Sequence, residues 1–294
     1  MDFQFVFQQL INGISKGSIY ALIAVGFALI FSVLKFSNFA HGGMISISAY
    51  AGYFFSTKLG MGLILTTIFA ALTGGILGIL LDYIGFYNIR KRKSPRIFYF
   101  VSSITCGILF MNILTIFFGT TYYALPTYFK NPVFELGTII IVKMDVVIFL
   151  VCIVLLIALM LIINKTKQGL AIRTVALDDS TARLMGINSN SVVRSTLFMA
   201  GALAGVSGVF LGANYTIDPF LGSMVVKGFI ASVIGGLGSL PGAITGAVLL
   251  GVVEVALTIV TGDIIAPAII FVITLVFLLV RPQGISGTII QDKV

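Results

Sequence analysis

The chain has 294 residues, of which 59% are hydrophobic and 10% are charged, and its formal net charge is +8 at pH 7. Soluble domains average about 25% charged residues, so this composition and a mean hydropathy of +1.13 exclude a soluble globular protein and indicate an integral membrane protein. The apolar segments approach or exceed the ~20 residues that a transmembrane helix needs, whereas a β-barrel shows alternating segments of about ten residues. We therefore expect an all-α, polytopic transmembrane helical bundle that forms a single domain over residues 1–294.

The amino-terminal half of the chain predicts four membrane spans. Its first residues, MDFQFVFQQL, lack the basic region and the small-residue cleavage site of a signal peptide, so we expect the first helix to be retained. The four spans lie at about residues 10–36, 44–57, 62–87 and 97–118. The loop RKRKSPR at 90–96 has five basic residues and no acidic one, which places it in the cytoplasm by the positive-inside rule.

The carboxy-terminal half predicts four more spans. They lie at about residues 146–163, 195–213, 224–260 and 264–280, and the third begins with a run, 224–234, that is too short to cross by itself. Aromatic and proline residues suit 119–145 to the external side, and five basic residues place 164–194 in the cytoplasm. This gives eight spans, or nine if the segments beside the glycine-rich motifs cross fully. The sequence leaves the side of the amino terminus open.

Two glycine-rich motifs, SNFAHGG at 37–43 and GGLGSLPG at 235–242, predict helix breaks inside the membrane. Paired Gly/Pro interruptions of this kind indicate a substrate pathway in transporters built from repeats. We predict that residues of both motifs line this pathway together with one acidic residue of a later span, Glu254. The full set is Asn38, His41, Gly42, Gly43, Gly235, Gly236, Gly238 and Glu254.

The only histidine of the chain, His41, has three candidate roles. Its side chain can satisfy backbone groups exposed at the helix break, it can line the pathway, or it can titrate in proton coupling. Asn38 and the glycine pair that follows His41 are residues that a helix end needs, so the sequence favours the first role.

Glu254 and Lys227 are ionisable residues in apolar surroundings. Such groups cost roughly 2.5–3.5 kcal/mol at the centre of a membrane helix and usually face the interior of the bundle. Three explanations fit these positions: a buried pair between the two residues, positions near the water interface, or a role in the pathway. The sequence leaves these alternatives open.

The motifs of common enzymes are absent from the sequence. It has no Walker pattern, HExxH, CxxC or GxSxG, and one histidine cannot supply a multi-histidine metal site. We therefore expect no catalytic residues, no ATPase activity of its own, no metal and no cofactor. Cys106 and Cys152 lie inside apolar segments and are interpreted as packing residues. The basic residues lie in short loops between spans, so nucleic acid is not an expected partner.

The segment QGLAIRTVALDDSTARLMGINSNSVVRS at 168–195 has the signals of a short helix between two spans. Asp178 or Asp179 can cap a helix over 180–185, and Gly186 can end it in a left-handed conformation. Asn188 or Asn190 can then cap the next span. A short helix on the cytoplasmic side has the form of a docking element, although a solvated connector has the same signals.

Three motifs together, GLAIRTVALDDSTARLMGI, NFAHGG and GGLGSLPGAITGA, closely resemble the membrane permease subunit of bacterial ABC importers for branched-chain amino acids. The similarity runs in the same order over nearly the whole chain. The resemblance implies a multi-pass inner-membrane protein that pairs with a second, related permease, two cytoplasmic ATP-binding subunits and an external solute-binding protein. It also implies that about 164–194 is a coupling segment that inserts into a groove of an ATPase subunit. The coupling residues that it implicates are Ala176, Asp178, Asp179, Ala182, Arg183 and Gly186.

The resemblance leaves the substrate open, because related permeases import urea, short amides or other small solutes. A self-contained secondary transporter or channel is a second alternative, but it needs its own ion-coupling carboxylates, and Glu254 is the one candidate well inside a predicted span. An intramembrane enzyme is disfavoured by the absence of catalytic clusters.

Overall fold

The computed structural model describes residues 3–136 and 139–286. Its helices, in chain order, are α1 Phe3–Leu34, α2 Ala40–Tyr53, α3 Leu63–Leu81, α4 Tyr87–Lys91, α5 Arg96–Phe118, α6 Lys143–Lys165, α7 Lys167–Leu177, α8 Asp179–Leu184, α9 Ser189–Asn214, α10 Val225–Gly235 and α11 Leu240–Val280. Two π-helical turns follow α2 and α3 at Phe54–Lys58 and Asp82–Phe86, and a 3₁₀ turn at Leu221–Met224 precedes α10. Strands β1 Val133–Leu136 and β2 Ile139–Val142 form an antiparallel pair.

The predicted all-α bundle is confirmed, and the number of membrane segments agrees with the sequence. Within the described ranges, six helices are long and apolar enough to cross a membrane. The longest, α11, has 41 residues and breaks at Gly262, where φ is +80° and ψ is 166°, so it supplies two segments. Helix α2 continues through its π turn to Lys58. These segments number eight in the described ranges. Helix α10 is not counted, because its 11 residues rise only about 16 Å, which is too short to cross the membrane.

The start of α1 lies on the side opposite the basic loop 90–96. The Gln8 side chain donates to the carbonyl of Ile140 at 2.7 Å and accepts from its amide at 2.9 Å, so α1 begins against the β-hairpin. That hairpin belongs to the segment that the charge pattern assigns to the exterior. At the other side, the amide of Ile285, which follows α11, donates to the carbonyl of Ile234 at the end of α10. The sequence left the side of the amino terminus unassigned, and the start of α1 lies on the side of the hairpin, which the charge pattern predicts to be external.

Glycines hold α3 and α9 at backbone contact. A Cβ on Gly201 would overlap the backbone of Gly74, and one on Gly205 would overlap that of Ala70. Between membrane helices, where lipid removes most of the hydrophobic driving force, such small residues allow close van der Waals packing. Helices α1 and α9 form the centre of the bundle, since most of their apolar residues are buried.

Neither the β-hairpin nor α7 is predicted by the sequence. The strand residues VFEL and IIIV lie in the segment interpreted only as an external connection. Helix α7 begins where the Thr166 hydroxyl accepts from the amide of Gly169, a capping signal directly after the end of α6.

Candidate functional site

The first helix break is shorter than the sequence predicts. Helix α2 begins at Ala40, so His41, Gly42 and Gly43 lie in its first turn and only residues 35–39 are non-helical. The Asn38 side chain accepts from the amide of Ala40 at 3.1 Å and so satisfies one of the amides exposed at the helix start. The glycine pair was interpreted as part of the break because sequence does not distinguish a turn glycine from a packing glycine.

His41 packs against α1 rather than capping backbone. His41 is fully buried, and neither ring nitrogen has a hydrogen-bond partner in the described part of the chain. A Cβ on Gly26 of α1 would lie 2.8 Å from the His41 Cε1 atom, so the imidazole occupies the space that this glycine leaves. The backbone-capping role favoured by the sequence therefore belongs to Asn38, not to His41.

The glycine pair allows α2 to approach two neighbouring elements. A Cβ on Gly42 would lie 2.5 Å from the carbonyl oxygen of Gly222 in the 3₁₀ turn, and one on Gly43 would lie 2.7 Å from Cβ of Phe110 in α5. The amide of Gly222 donates to the Ser46 hydroxyl at 2.8 Å. The start of α2 is thus joined directly to the residues that lead into α10.

The second glycine motif forms a tight turn at the other end of α10. Gly236 and Gly238 have positive φ values of 108° and 86°, which favour glycine, and the Ser239 hydroxyl accepts from the amide of Gly242 at the start of α11. Gly235 and Gly242 pack backbone to backbone. Helix α10 therefore separates the two predicted pathway motifs: the first contacts the 3₁₀ turn before α10, and the second forms the opposite end of α10.

Glu254 and Lys227 form a buried ion pair. The Lys227 Nζ lies 2.8 Å from the Glu254 Oε1, and the side chains are 24% and 7% exposed. The Tyr20 hydroxyl donates to Glu254 at 3.1 Å, and the Lys16 Nζ lies 3.9 Å from the same carboxylate. The pairing that the sequence left open is therefore present. Lys16 and Tyr20, both on α1, were missed because no local pattern relates them to residues more than 200 positions away.

A cavity of about 490 Å³ opens beside this charged group. It is lined by residues of α1, β2, α6, α9 and α11, with Lys16 and Asp145 as its charged residues and Val142, Val255 and Ile259 among its apolar ones. The Asp145 carboxylate accepts from the side-chain nitrogen Nδ2 of Asn214 at 3.1 Å. A cavity of this size suits a small ligand, and side chains of both signs beside apolar walls can hold a small zwitterion with an aliphatic side chain.

The cytoplasmic segment has the local structure that its sequence predicts. The Asp178 side chain accepts from the amide of Ser180 at 3.0 Å and caps α8, and hydrogen bonds from the side chains of Ser180 and Thr181 lower the pKa of Asp178 to about 2. Gly186 has a φ of +81°, and the Asn188 side chain caps α9. The predicted capped helix with a left-handed glycine end is confirmed.

Helix α8 exposes apolar side chains. Ala182 is fully buried, but Leu184 and Met185 are 89% and 75% exposed. Arg183 pairs with Asp179 at 2.8 Å, and Ala176, at the end of α7, is half-buried. Large apolar residues exposed outside the membrane suit a protein contact.

An unpredicted charged cluster lies next to the start of α9. Asp82, in the second π turn, is fully buried and accepts from both terminal nitrogens of Arg90 at 2.8 and 3.0 Å. Arg194 lies 3.4 Å from the same carboxylate, and the Arg90 Nε donates to the Asn190 side chain at 2.7 Å. The sequence offers one signal for this cluster, an aspartate beside the basic loop, which was not used.

Comparisons with known proteins identify the family of this chain. Residues 9–280 match a family model described as the permease component of the branched-chain amino acid transport system. The high-affinity branched-chain amino acid transport system permease protein BraD of Pseudomonas aeruginosa is 34% identical, covering 98% of this chain and 97% of its own. The corresponding permease protein LivH of Escherichia coli K12 is 32% identical, covering 100% and 99%. A probable branched-chain amino acid transport permease protein LivH of Methanocaldococcus jannaschii is 27% identical, covering 94% and 91%. The chain belongs to the branched-chain amino acid transport permease family.

Proposed function

We propose that the chain is the membrane-spanning permease subunit of an ABC importer that moves branched-chain amino acids across the bacterial inner membrane. The observation that carries this proposal is the match to named branched-chain amino acid permeases over essentially the full length of both chains. In this proposal, the single permease domain pairs with a second, related permease, and two cytoplasmic ATP-binding subunits and an external solute-binding protein complete the complex.

The proposed contact with the ATPase is α8 and its flanks. This helix lies on the side of the basic loops, its apolar residues Leu184 and Met185 are exposed, and Gly186 ends it with a backbone conformation that favours glycine. The residues proposed for coupling are Ala176, Asp178, Asp179, Ala182, Arg183 and Gly186. Because Asn188 caps α9, movement of α8 is expected to act on α9 over a connection of only a few residues.

The proposed pathway combines the start of α2 with α10 and its flanking turns. Its residues are Asn38, His41, Gly42, Gly43, Gly235, Gly236, Gly238 and Glu254. The external cavity beside Glu254 is the proposed entry region, with Lys16 facing an α-carboxylate, Asp145 facing an α-ammonium group and the apolar wall facing an aliphatic side chain. In alternating access, ATP binding favours one orientation of the permease pair, and a ligand shifts that equilibrium by its differential affinity for the two states.

A secondary transporter is less well supported than the ABC importer. Its ion-coupling carboxylate would have to be Glu254, but this side chain is engaged with two lysines and a tyrosine. A permease of the same family for urea or short amides is the other alternative, but urea is uncharged and offers no charges to complement those of Lys16 and Asp145.

Reconstitution of the whole complex tests the proposal. The chain, its partner permease, the two ATPase subunits and the solute-binding protein are placed in proteoliposomes, and uptake of radiolabelled leucine, isoleucine, valine and urea is measured with and without ATP. ATP-dependent uptake of the branched-chain amino acids, with stimulation of ATP hydrolysis by the loaded binding protein, is expected. Uptake of urea instead of the branched-chain amino acids would show that urea is the substrate. Uptake by the chain alone without ATP would reject the ABC mechanism.

A further inference from the structure

A second cavity, of about 760 Å³, opens at the cytoplasmic end of the bundle between α3, α6, the start of α7 and α9. One part of its wall is apolar and is formed by Ile79, Ile162, Phe198 and Met199. Ile162 is 37% exposed and belongs to α6, a helix with a highly apolar surface. This part of the groove therefore lies at the depth of the hydrocarbon chains of the inner leaflet.

The other part of the same groove is basic and polar. It is formed by Lys167 and Arg194 together with Thr166, Ser191 and Ser195. These residues lie at the beginning of α7 and in the first turns of α9, where both helices reach the cytoplasmic surface. The groove thus changes from apolar to basic along the direction in which a lipid changes from acyl chain to headgroup.

The charges that line the groove are positive. Lys167 is exposed and forms no ion pair within the described ranges. The nearby carboxylate of Asp82 does not line the groove and is engaged by both Arg90 and Arg194. These two arginines outnumber the one aspartate, and Lys167 adds a further positive charge, so the local net charge is positive. Basic pockets between membrane helices on the cytoplasmic side recognise anionic lipid headgroups.

We infer that this groove binds one anionic phospholipid of the cytoplasmic leaflet. The phosphate lies near Lys167 and Arg194, and an acyl chain follows Ile162 and Met199. Charge complementarity selects a phospholipid with a net negative charge over a zwitterionic one. The bound lipid would fill the space between α6 and α9 at the point where the chain enters the coupling segment.

The test measures lipid retention by the purified complex that contains the full chain. The complex is reconstituted in nanodiscs with equal amounts of phosphatidylglycerol and phosphatidylcholine, extracted in mild detergent, and examined by native mass spectrometry. Preferential retention of one phosphatidylglycerol is expected. Lys167→Gln is expected to weaken that retention about fivefold, the equivalent of the ~1 kcal/mol that one basic residue contributes near an anionic membrane surface.

Lys165→Gln is the matched control, because Lys165 is also exposed and lies two residues away but does not line the groove. It is expected to retain phosphatidylglycerol as the unmodified chain does. Equal retention of the two lipids, or an equal loss in both variants, would overturn the inference. Displacement of the lipid by millimolar glycerol 3-phosphate would show that the groove recognises a soluble phosphate rather than a lipid, and would likewise overturn it.

Discussion

The contact between Gly42 of α2 and Gly222 of the 3₁₀ turn predicts a large effect from one methyl group. In Gly42→Ala, the new Cβ would lie 2.5 Å from the Gly222 carbonyl oxygen, and an ordinary contact of 3.4 Å requires the two backbones to separate by about 0.9 Å. Overpacking of this kind costs about 1–3 kcal/mol. Alanine favours a helix by about 0.5–1 kcal/mol over glycine, which leaves a net destabilisation of about 0–2.5 kcal/mol, with a midpoint of about 1 kcal/mol.

The assay compares Gly42→Ala with Gly62→Ala, since a Cβ on Gly62 meets no atom within 4 Å. Thermal stability of the purified complex and uptake in proteoliposomes are measured for both variants at equal membrane abundance. We expect Gly42→Ala to lower the unfolding temperature and the uptake rate, and Gly62→Ala to change both much less. Equal behaviour of the two variants would refute the conclusion that α2 and the 3₁₀ turn must remain in contact.

Three further predictions concern topology, coupling and the buried ion pair. Cysteine introduced by Arg92→Cys in a background without native cysteines should resist an impermeant thiol reagent added outside cells, whereas Tyr122→Cys should react; the reverse would overturn the topology. Gly186→Val forces a β-branched residue to adopt a φ of +81° at a cost of about 1 kcal/mol or more. The variant should insert normally but lose uptake and the stimulation of ATP hydrolysis by the binding protein. Full activity would show that the segment around Gly186 is an ordinary connector. Glu254→Gln leaves Lys227 without its carboxylate and should destabilise the complex by about 1–3 kcal/mol, less than a fully buried pair because the lysine is partly exposed; unchanged thermal stability would contradict this.

Local signals in the sequence predicted local structure well. Asp178, Gly186 and Asn188 act within a few residues of their own positions, and each performs the capping or terminating role that its chemistry predicts. The membrane segments were also predictable, because a helix that contacts lipid needs a long apolar run.

Features that depend on distant neighbours were not predictable from one sequence. The break before α2 was placed too far along the chain, since Gly42 and Gly43 serve contacts with Gly222 and Phe110 rather than a turn. The same reason explains why the ion pair of Glu254 was left open. Its partners approach from α1 and α10, and a single sequence does not specify which helices meet.

The glycine contacts between α3 and α9 have a mechanical consequence. Where two backbones touch, neither helix can roll about its own axis without forcing atoms into the other, so the pair must tilt or slide as one rigid block. Asp82 extends this block at its cytoplasmic end, because its carboxylate holds Arg194 of α9 while lying at the end of α3. A displacement delivered through α8 would therefore turn both helices together, and the large motions of transport would fall on the thinner junctions around Lys35, Gly236 and Gly262, whose φ values are all positive.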